Sequence, residues 1–256
     1  MARSSTLFDL RGRKALVTGA TQGLGLAITE ALAFHGAHVI VSDRDPDACE
    51  RAASGLRDLG LEASGAAADL AHVTETEALA TTAADVDVLV CNAGVQGPAW
   101  PLSAVTDDDW QRVFSINLRS AERLCAGILP GMAERGRGSV VLMSSIAGLR
   151  GNMSIGLYGL TKAALAQLAR NLAVEWGPDG VRVNAISPGL IRTPLAAGLL
   201  DNAAFMQRRL AATPLRRVGE PHEIAGVVVM LASDAGGFIT GHNLVVDGGT
   251  TISDGN

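Results

Sequence analysis

Short runs of Val, Leu and Ile recur along the chain, each followed by a longer stretch in which apolar residues return at helical spacing. The runs are Lys14–Thr18, Ala37–Asp43, Asp87–Cys91, Ser139–Met143, Val181–Ile186 and Asn243–Asp247. Helical stretches start near Gly23 and at Asp45-Pro46, and others cover 107–133, 156–177 and 221–233. A strand that is apolar at consecutive positions hides both of its faces, and a parallel sheet covered by helices on each side provides that environment. The expected fold class is therefore α/β, a single doubly wound domain over residues 1–256, long enough to bury a sizeable core without a second domain. No fixed-period repeat, low-complexity tract or Pro/Ser-rich linker interrupts the pattern.

Charge and cysteine usage narrow the function. A net charge of −5 and a pI near 5.5, with no basic cluster longer than Arg208-Arg209 or Arg216-Arg217, argue against nucleic acid or an anionic membrane surface. The expected partner is a small molecule. Cys49, Cys91 and Cys125 are too few and too dispersed for a disulfide framework or a zinc site, and the five histidines are scattered, so no metal is expected. No run reaches the ~18 apolar residues of a membrane span, and the N-terminal stretch lacks the apolar core of a signal peptide. A cytoplasmic protein is the expectation.

The first apolar run ends in Thr18-Gly19-Ala20-Thr21-Gln22-Gly23-Leu24-Gly25 and passes directly into a helix. Glycines at such a junction let the backbone approach a pyrophosphate, whose charge meets the free N–H groups and positive dipole end of the helix. The spacing is G-x-x-x-G-x-G, distinct from the common G-x-G-x-x-G, and glycines there also serve purely structural turns. Asp43 closes the second strand about 20 residues on, where a carboxylate accepts hydrogen bonds from the adenosine ribose and repels a 2′-phosphate. That favours NAD over NADP. The adjacent Arg44 pulls the other way, since a guanidinium can receive that phosphate or stack on adenine, and Asp43 also suits a plain helix-capping role.

Tyr158 and Lys162 stand at i and i+4 of a helical segment and so share one face. A phenol is a poor base at neutral pH, but a nearby ammonium favours the phenolate and brings it toward the working range. Ser145 follows a strand at its carboxyl end, where ligands bind in open parallel sheets, and its hydroxyl suits a reacting oxygen; Ser144 is a rival for the role. Asn117 is a polar amide among Phe114, Ile116 and Leu118, consistent with an ordinary satisfied buried group.

Together these motifs resemble the short-chain dehydrogenase/reductase family over essentially the whole chain. Thr18–Gly25 looks like the family's cofactor loop, contributing Gly19, Thr21, Gln22, Gly23, Leu24 and Gly25. Asp69, with Leu70 beside it, looks like its adenine-contacting acid, and Asn92-Ala93-Gly94 like its fourth-strand signature. Pro188-Gly189, followed by Ile191 and Thr193, looks like the segment that grips the nicotinamide, and Asn117, Ser145, Tyr158 and Lys162 look like the catalytic tetrad. Cys91 departs from the asparagine usual at the start of the signature, and Gly159 from another small residue.

The resemblance implies a seven-stranded Rossmann-like parallel sheet, a homotetramer and NAD(P)-dependent interconversion of alcohol and carbonyl. It implies that Tyr158 moves the hydroxyl proton, Ser145 holds the oxygen, Lys162 lowers the tyrosine's pKa and binds the nicotinamide ribose, and Asn117 positions a water. Substrate contacts are expected from Ser145 and Tyr158, from Gln96, Asn152 and Met153 in the loops, and from Leu195 in a segment over 190–217. The apolar residues of that segment suit either a lid over the cofactor or an ordinary packed helix. An apolar pocket fits a hydrophobic secondary alcohol, and two amides fit a polyol or sugar acid. The alternatives are a 3-oxoacyl thioester reductase using NADPH and a non-catalytic dinucleotide-binding regulator on the same fold.

Overall fold

The computed structural model describes residues 6–253. Seven parallel strands form one sheet: β1 (Lys14–Thr18), β2 (His38–Asp43), β3 (Ala63–Ala67), β4 (Val88–Cys91), β5 (Gly138–Met143), β6 (Val181–Pro188) and β7 (Asn243–Val246). Between and after them run α1 (Gly23–Phe34), α2 (Pro46–Asp58), α3 (Val73–Thr82), α4 (Asp107–Phe114), α5 (Ser120–Glu134), α6 (Gly156–Trp176), α7 (Ala197–Leu200), α8 (Ala203–Ala211) and α9 (Pro221–Ala232). The strand order is β3-β2-β1-β4-β5-β6-β7.

Successive residues of each central strand feed opposite cores. Ala15, Val17, Val39, Val41, Val88 and Val90 pack with residues of α1 and α9 on one face. Leu16, Ile40, Leu89, Val140, Leu142 and Val183 pack with those of α3, α5 and α6 on the other. This two-sided burial is what the continuous apolar runs demanded, and each fully buried Val or Leu contributes about 1.5–3 kcal/mol.

The seventh strand, β3, has no apolar run to announce it. Its sequence, Ala-Ser-Gly-Ala-Ala, has weak strand preference, and it forms because it pairs along the edge of β2 from Val39↔Ala63 to Asp43↔Ala67. A side chain at Gly65 would press on the backbone of Cys49 and Glu50 at 3.3 Å, so α2 lies tight against this strand.

The stretch expected as one helix over 107–133 is three pieces. A capping box between Thr106 and Asp109 starts α4, and a π-helical turn over Ser115–Arg119 separates it from α5. The π turn carries Asn117, and π turns within helices often sit at functional positions. The chain reverses direction across the sheet between β1 and β4, so the loops leaving those strands diverge and open a crevice above their carboxyl ends.

Candidate active site

A cavity of about 650 Å³ occupies that crevice and extends from the ends of β2 and β3 to the loops after β5 and β6. Its middle is a backbone cradle. Gly19 (φ +62°) and Gly23 (φ +56°) adopt left-handed conformations that favour glycine. A Cβ at Gly25 would lie only 1.9 Å from the Gly19 carbonyl oxygen, and one at Gly19 would be 2.9 Å from Ala93 Cα. The first residues of α1 receive no side-chain cap from Gln22, which leaves N–H groups for an anion at the helix N-terminus. Asn92 ties the loop to β4, its Nδ2 donating to the carbonyls of Thr18 and Gly19 at 3.0 Å each. Gln22, Leu24, Ala93 and Gly94 complete this stretch of wall.

At one end stand Asp43, Arg44, Asp69 and Leu70. Thr21, expected to touch the cofactor, is not on the wall; its hydroxyl donates to Asp43 Oδ2 at 2.7 Å and holds that carboxylate in place. The physical reason is proximity, since β1 and β2 are neighbours and their ends meet there. Asp43 Oδ1 accepts from the Arg44 backbone N–H at 2.8 Å, while the Arg44 side chain is exposed. Asp69 Oδ1 accepts from Ala71 N–H at 2.9 Å, which fixes its orientation.

At the other end Ser145, Tyr158 and Lys162 converge, with Pro188, Gly189, Ile191 and Thr193 opposite them. Ser144 and Ser145 part company. Ser144 is buried and its hydroxyl donates to the Lys162 carbonyl at 2.6 Å, whereas Ser145 faces the cavity and its Oγ accepts from Ala147 N–H at 3.1 Å. Both residues lie past the end of β5 and both line the cavity; they differ in that the Ser144 hydroxyl is spent on the Lys162 carbonyl.

Lys162 is buried, its Nζ lies 5.3 Å from the centre of the Tyr158 ring, and it donates to the Met143 carbonyl at 2.6 Å. Burial pulls this ammonium down to a pKa of about 8, against which the nearby Cys91 acts weakly. Burial pushes the Tyr158 phenol up, and the Ser145 hydroxyl opposes that rise. The lysine was expected to lower the tyrosine's pKa. In the structure the ammonium's hydrogen bond goes to the Met143 carbonyl, and desolvation is the larger influence on the phenol.

Asn117 is held by the loop beside the cavity. It lies behind the wall rather than on it, and its amide is fully used: Oδ1 accepts from Val95 N–H at 2.8 Å, and Nδ2 donates to the Val95 carbonyl at 2.8 Å and to Thr161 Oγ1 at 3.1 Å. The side chain therefore positions the Gly94–Gln96 loop. The same point in space, a Cβ built on Gly94, is 3.3 Å from Asn117 Oδ1 and 3.4 Å from Lys162 Nζ, so the glycine keeps this junction open.

Of the expected substrate contacts, Gln96, Asn152 and Leu195 line the cavity and Met153 does not. Asn152 Nδ2 donates to the carbonyls of Ala147 (2.7 Å) and Arg150 (2.9 Å), which turns Asn152 inward and leaves Met153 pointing out, 89% exposed. The segment over 190–217 folds as a 3₁₀ turn, α7 and α8, anchored at its base by the bridge Ile191↔Gly219 and above by Leu215 N–H donating to Gly248 at 3.1 Å. Leu195 and Leu199 stand over the cavity. Three lining arginines, Arg112, Arg150 and Arg209, were not singled out. Nothing in the sequence separates Arg209 from Arg208 beside it, because only the orientation of α8 decides which of the two faces inward.

Cys91 occupies the position of the missing asparagine and turns into the core. A hydrogen bond with the Cys91 thiol, together with burial, pushes the Cys125 thiol well up, and the three cysteines are free. The strand end is held instead by Thr18 Oγ1, which accepts from Asn92 N–H (3.1 Å) and Ala93 N–H (3.2 Å).

A family model described as enoyl-(acyl carrier protein) reductase matches residues 19–251. A dehydrogenase/reductase SDR family member 4 of Bos taurus is 38% identical over 254 residues, 98% of this chain and 90% of that protein. The chain belongs to the short-chain dehydrogenase/reductase family. A tropinone reductase homolog of Arabidopsis thaliana is 39% identical over 251 residues, covering 96% of this chain and 81% of the relative. Among solved members of the family, a gluconate 5-dehydrogenase from Burkholderia cenocepacia, in complex with NADP and tartrate, superimposes with a TM-score of 0.93 at 33% identity, over 96% of this chain and 98% of that one. A 7α-hydroxysteroid dehydrogenase complexed with NADH and 7-oxo glycochenodeoxycholic acid gives 0.92 at 34% identity, over 96% and 97%. This short-chain dehydrogenase/reductase is thus an oxidoreductase by family, and among its described residues no helix is long and apolar enough to cross a membrane.

Proposed function

We propose that the protein is an NAD-dependent oxidoreductase that interconverts a secondary alcohol, or polyol, and its ketone, with Tyr158 as general acid/base. The observation that carries this reading is the presence of Ser145, Tyr158 and Lys162 on the wall of the same cavity that holds the glycine cradle. The cradle fits a pyrophosphate: side chains at Gly19 or Gly25 would fill it, and the helix N-terminus beside it is uncapped by any side chain. Bound there, a nicotinamide dinucleotide supplies the hydride acceptor or donor and, oxidised, a positive charge that favours the phenolate.

The chain's own residues do the rest. The Ser145 hydroxyl orients the carbinol oxygen, and the Tyr158 phenol takes or returns its proton. Lys162, held by the Met143 carbonyl, supports the tyrosine and reaches a ribose, while Asn117 acts as a positioning residue by fixing the Val95 peptide. Asp43, pinned by Thr21, keeps lone pairs for ribose hydroxyls and repels a 2′-phosphate. NAD is therefore preferred to NADP, although the neighbours include both NADP-bound and NADH-bound proteins.

The test is Tyr158→Phe, which keeps the ring and removes the transferable proton. Oxidation of secondary alcohols is expected to fall at least 100-fold while cofactor binding persists; activity within a few-fold of wild type refutes the role. A second reading, reduction of 3-oxoacyl thioesters with NADPH, has the description of the matching family model in its favour. Asp43 and the acidic balance of the chain weigh against it. A pure binder would quench or enhance cofactor fluorescence without consuming the cofactor. We also propose a homotetramer, to which the exposed Val174, Phe238 and Ile252 would contribute apolar contacts; a monomer in sedimentation at micromolar concentration refutes it.

A further inference from the structure

Of the three arginines on the cavity wall that cofactor and proton chemistry leave unexplained, Arg112, Arg150 and Arg209, the last two act on one another electrostatically. Arg150 lies in the loop five residues beyond Ser145, and Arg209 lies in the last turn of α8. Both belong to the β5–β7 side of the crevice, because α8 is followed by Thr213, whose hydroxyl meets that of Thr250 at 3.0 Å beyond β7. The adenosine end, marked by Asp43 and Asp69, is on the other side of the switch point. With strands about 4.8 Å apart, β2 and β5 are separated by three spacings, roughly 14 Å, so these guanidiniums do not serve a 2′-phosphate.

Among the described residues no ion pair or side-chain hydrogen bond is formed by Arg150 or Arg209, whereas Arg11, Arg57, Arg119, Arg137, Arg192 and Arg217 are each paired with a carboxylate. Arg209 is half-buried, with its guanidinium carbon 5.4 Å from the centre of the Phe205 ring. Asp247, whose charge acts on Arg209, is already engaged by backbone: Oδ1 accepts from Gly249 N–H at 2.8 Å and Oδ2 from Thr251 N–H at 2.7 Å. Burial and then Arg150 depress the Arg209 guanidinium, with Asp247 opposing. Two like charges are thus held toward one cavity, at a cost that an anion between them would relieve. The loop that carries Arg150 is fixed at its backbone by the Asn152 amide through the Ala147 and Arg150 carbonyls, while the Arg150 side chain itself is exposed.

We propose that Arg150 and Arg209 bind a carboxylate of the substrate, so that the alcohol presented to Ser145 and Tyr158 is that of a hydroxy acid. This rests on the oxidoreductase reading and names the substrate class within it. A planar carboxylate suits guanidinium donors, and a small acid suits a cavity that must also admit a dinucleotide.

The experiment measures binding and turnover in parallel. The holoenzyme with reduced cofactor is titrated calorimetrically with a six-carbon aldonic acid, the matching neutral alditol and the alditol 6-phosphate, and oxidation of each is followed with the oxidised cofactor. The acid is expected to bind at least tenfold more tightly than the alditol. Arg150→Gln and Arg209→Gln are each expected to reduce that preference at least tenfold, with Arg209→Lys retaining part of it and cofactor fluorescence reporting that the variants are folded. No preference for the acid, a preference untouched by either glutamine variant, or a more than tenfold preference for the phosphate overturns the proposal, whether or not alcohols are oxidised. If the acid binds in an arginine-dependent way and nothing is turned over, the anion site stands and the oxidoreductase reading falls.

Discussion

Replacing Gly25 by alanine sets two effects against each other. Inside a helix alanine is favoured over glycine by about 1 kcal/mol. At this position, however, the new Cβ would stand 1.9 Å from the Gly19 carbonyl oxygen and 2.6 Å from Asn92 Nδ2. The obstacle is backbone, and its oxygen is held by Asn92 at 3.0 Å, so it cannot swing aside without losing that bond. Overpacking of this kind costs about 3 kcal/mol at the upper end of its usual range, and the broken hydrogen bond about 1 more. Subtracting the helix gain leaves about 3 kcal/mol of destabilisation, which lowers Tm by about 6–12 °C in a chain of this size. Cofactor affinity is expected to fall at least tenfold, because the displaced loop re-aims the N–H groups of the cradle.

The control is Gly55→Ala, an exposed glycine in α2 whose added Cβ meets nothing within 4 Å. Here only the helix preference acts, and a gain of about 0.5–1 kcal/mol is expected with cofactor binding unchanged. Thermal unfolding and fluorescence titration of the reduced cofactor measure both variants. A Gly25→Ala protein with wild-type Tm and affinity would refute the argument that this crossing is rigid.

Three further outcomes are expected. Lys162 has a folded pKa of about 8, below its ordinary 10.5, so between these pH values the unfolded chain binds more protons and stability rises with pH. The stability of wild type relative to Lys162→Met should therefore increase by up to about 3 kcal/mol between pH 7 and 10.5, measured by urea unfolding of the cofactor-free proteins; a flat difference refutes the buried charge. Asp43→Ala should raise the KM for NAD and lower that for NADP, each about tenfold, and an unaltered ratio would remove Asp43 from cofactor choice. Asn117→Ala strands the polar atoms of the Val95 peptide and should cost about 1–3 kcal/mol by denaturant unfolding, with a loss of kcat larger than any change in cofactor affinity.

Six of the seven strands were legible from their continuous apolar runs, which β1, β2, β4, β5 and β6 bury on both faces, while β7 lies at the sheet edge with Val245 exposed. β3 was not, since an edge strand of Ala, Ser and Gly owes its conformation to the exposed edge of β2. Likewise the helix over 107–133 reads as continuous by periodicity, and only the packing of Asn117 against Val95 and Thr161 goes with a π turn at that point.

The site divides in the same way. Local sequence determined the glycine cradle, the shared face of Tyr158 and Lys162 and the strand-end place of Ser145, because turn geometry and helical pitch act over a few residues. Tertiary structure alone decided that Thr21 serves Asp43, that Lys162 is desolvated and held by Met143, and that Met153 turns away. It alone also brought Arg150 and Arg209 to one cavity from segments nearly 60 residues apart. Burial and electrostatic proximity are properties of the packed chain, and no spacing along the sequence encodes them.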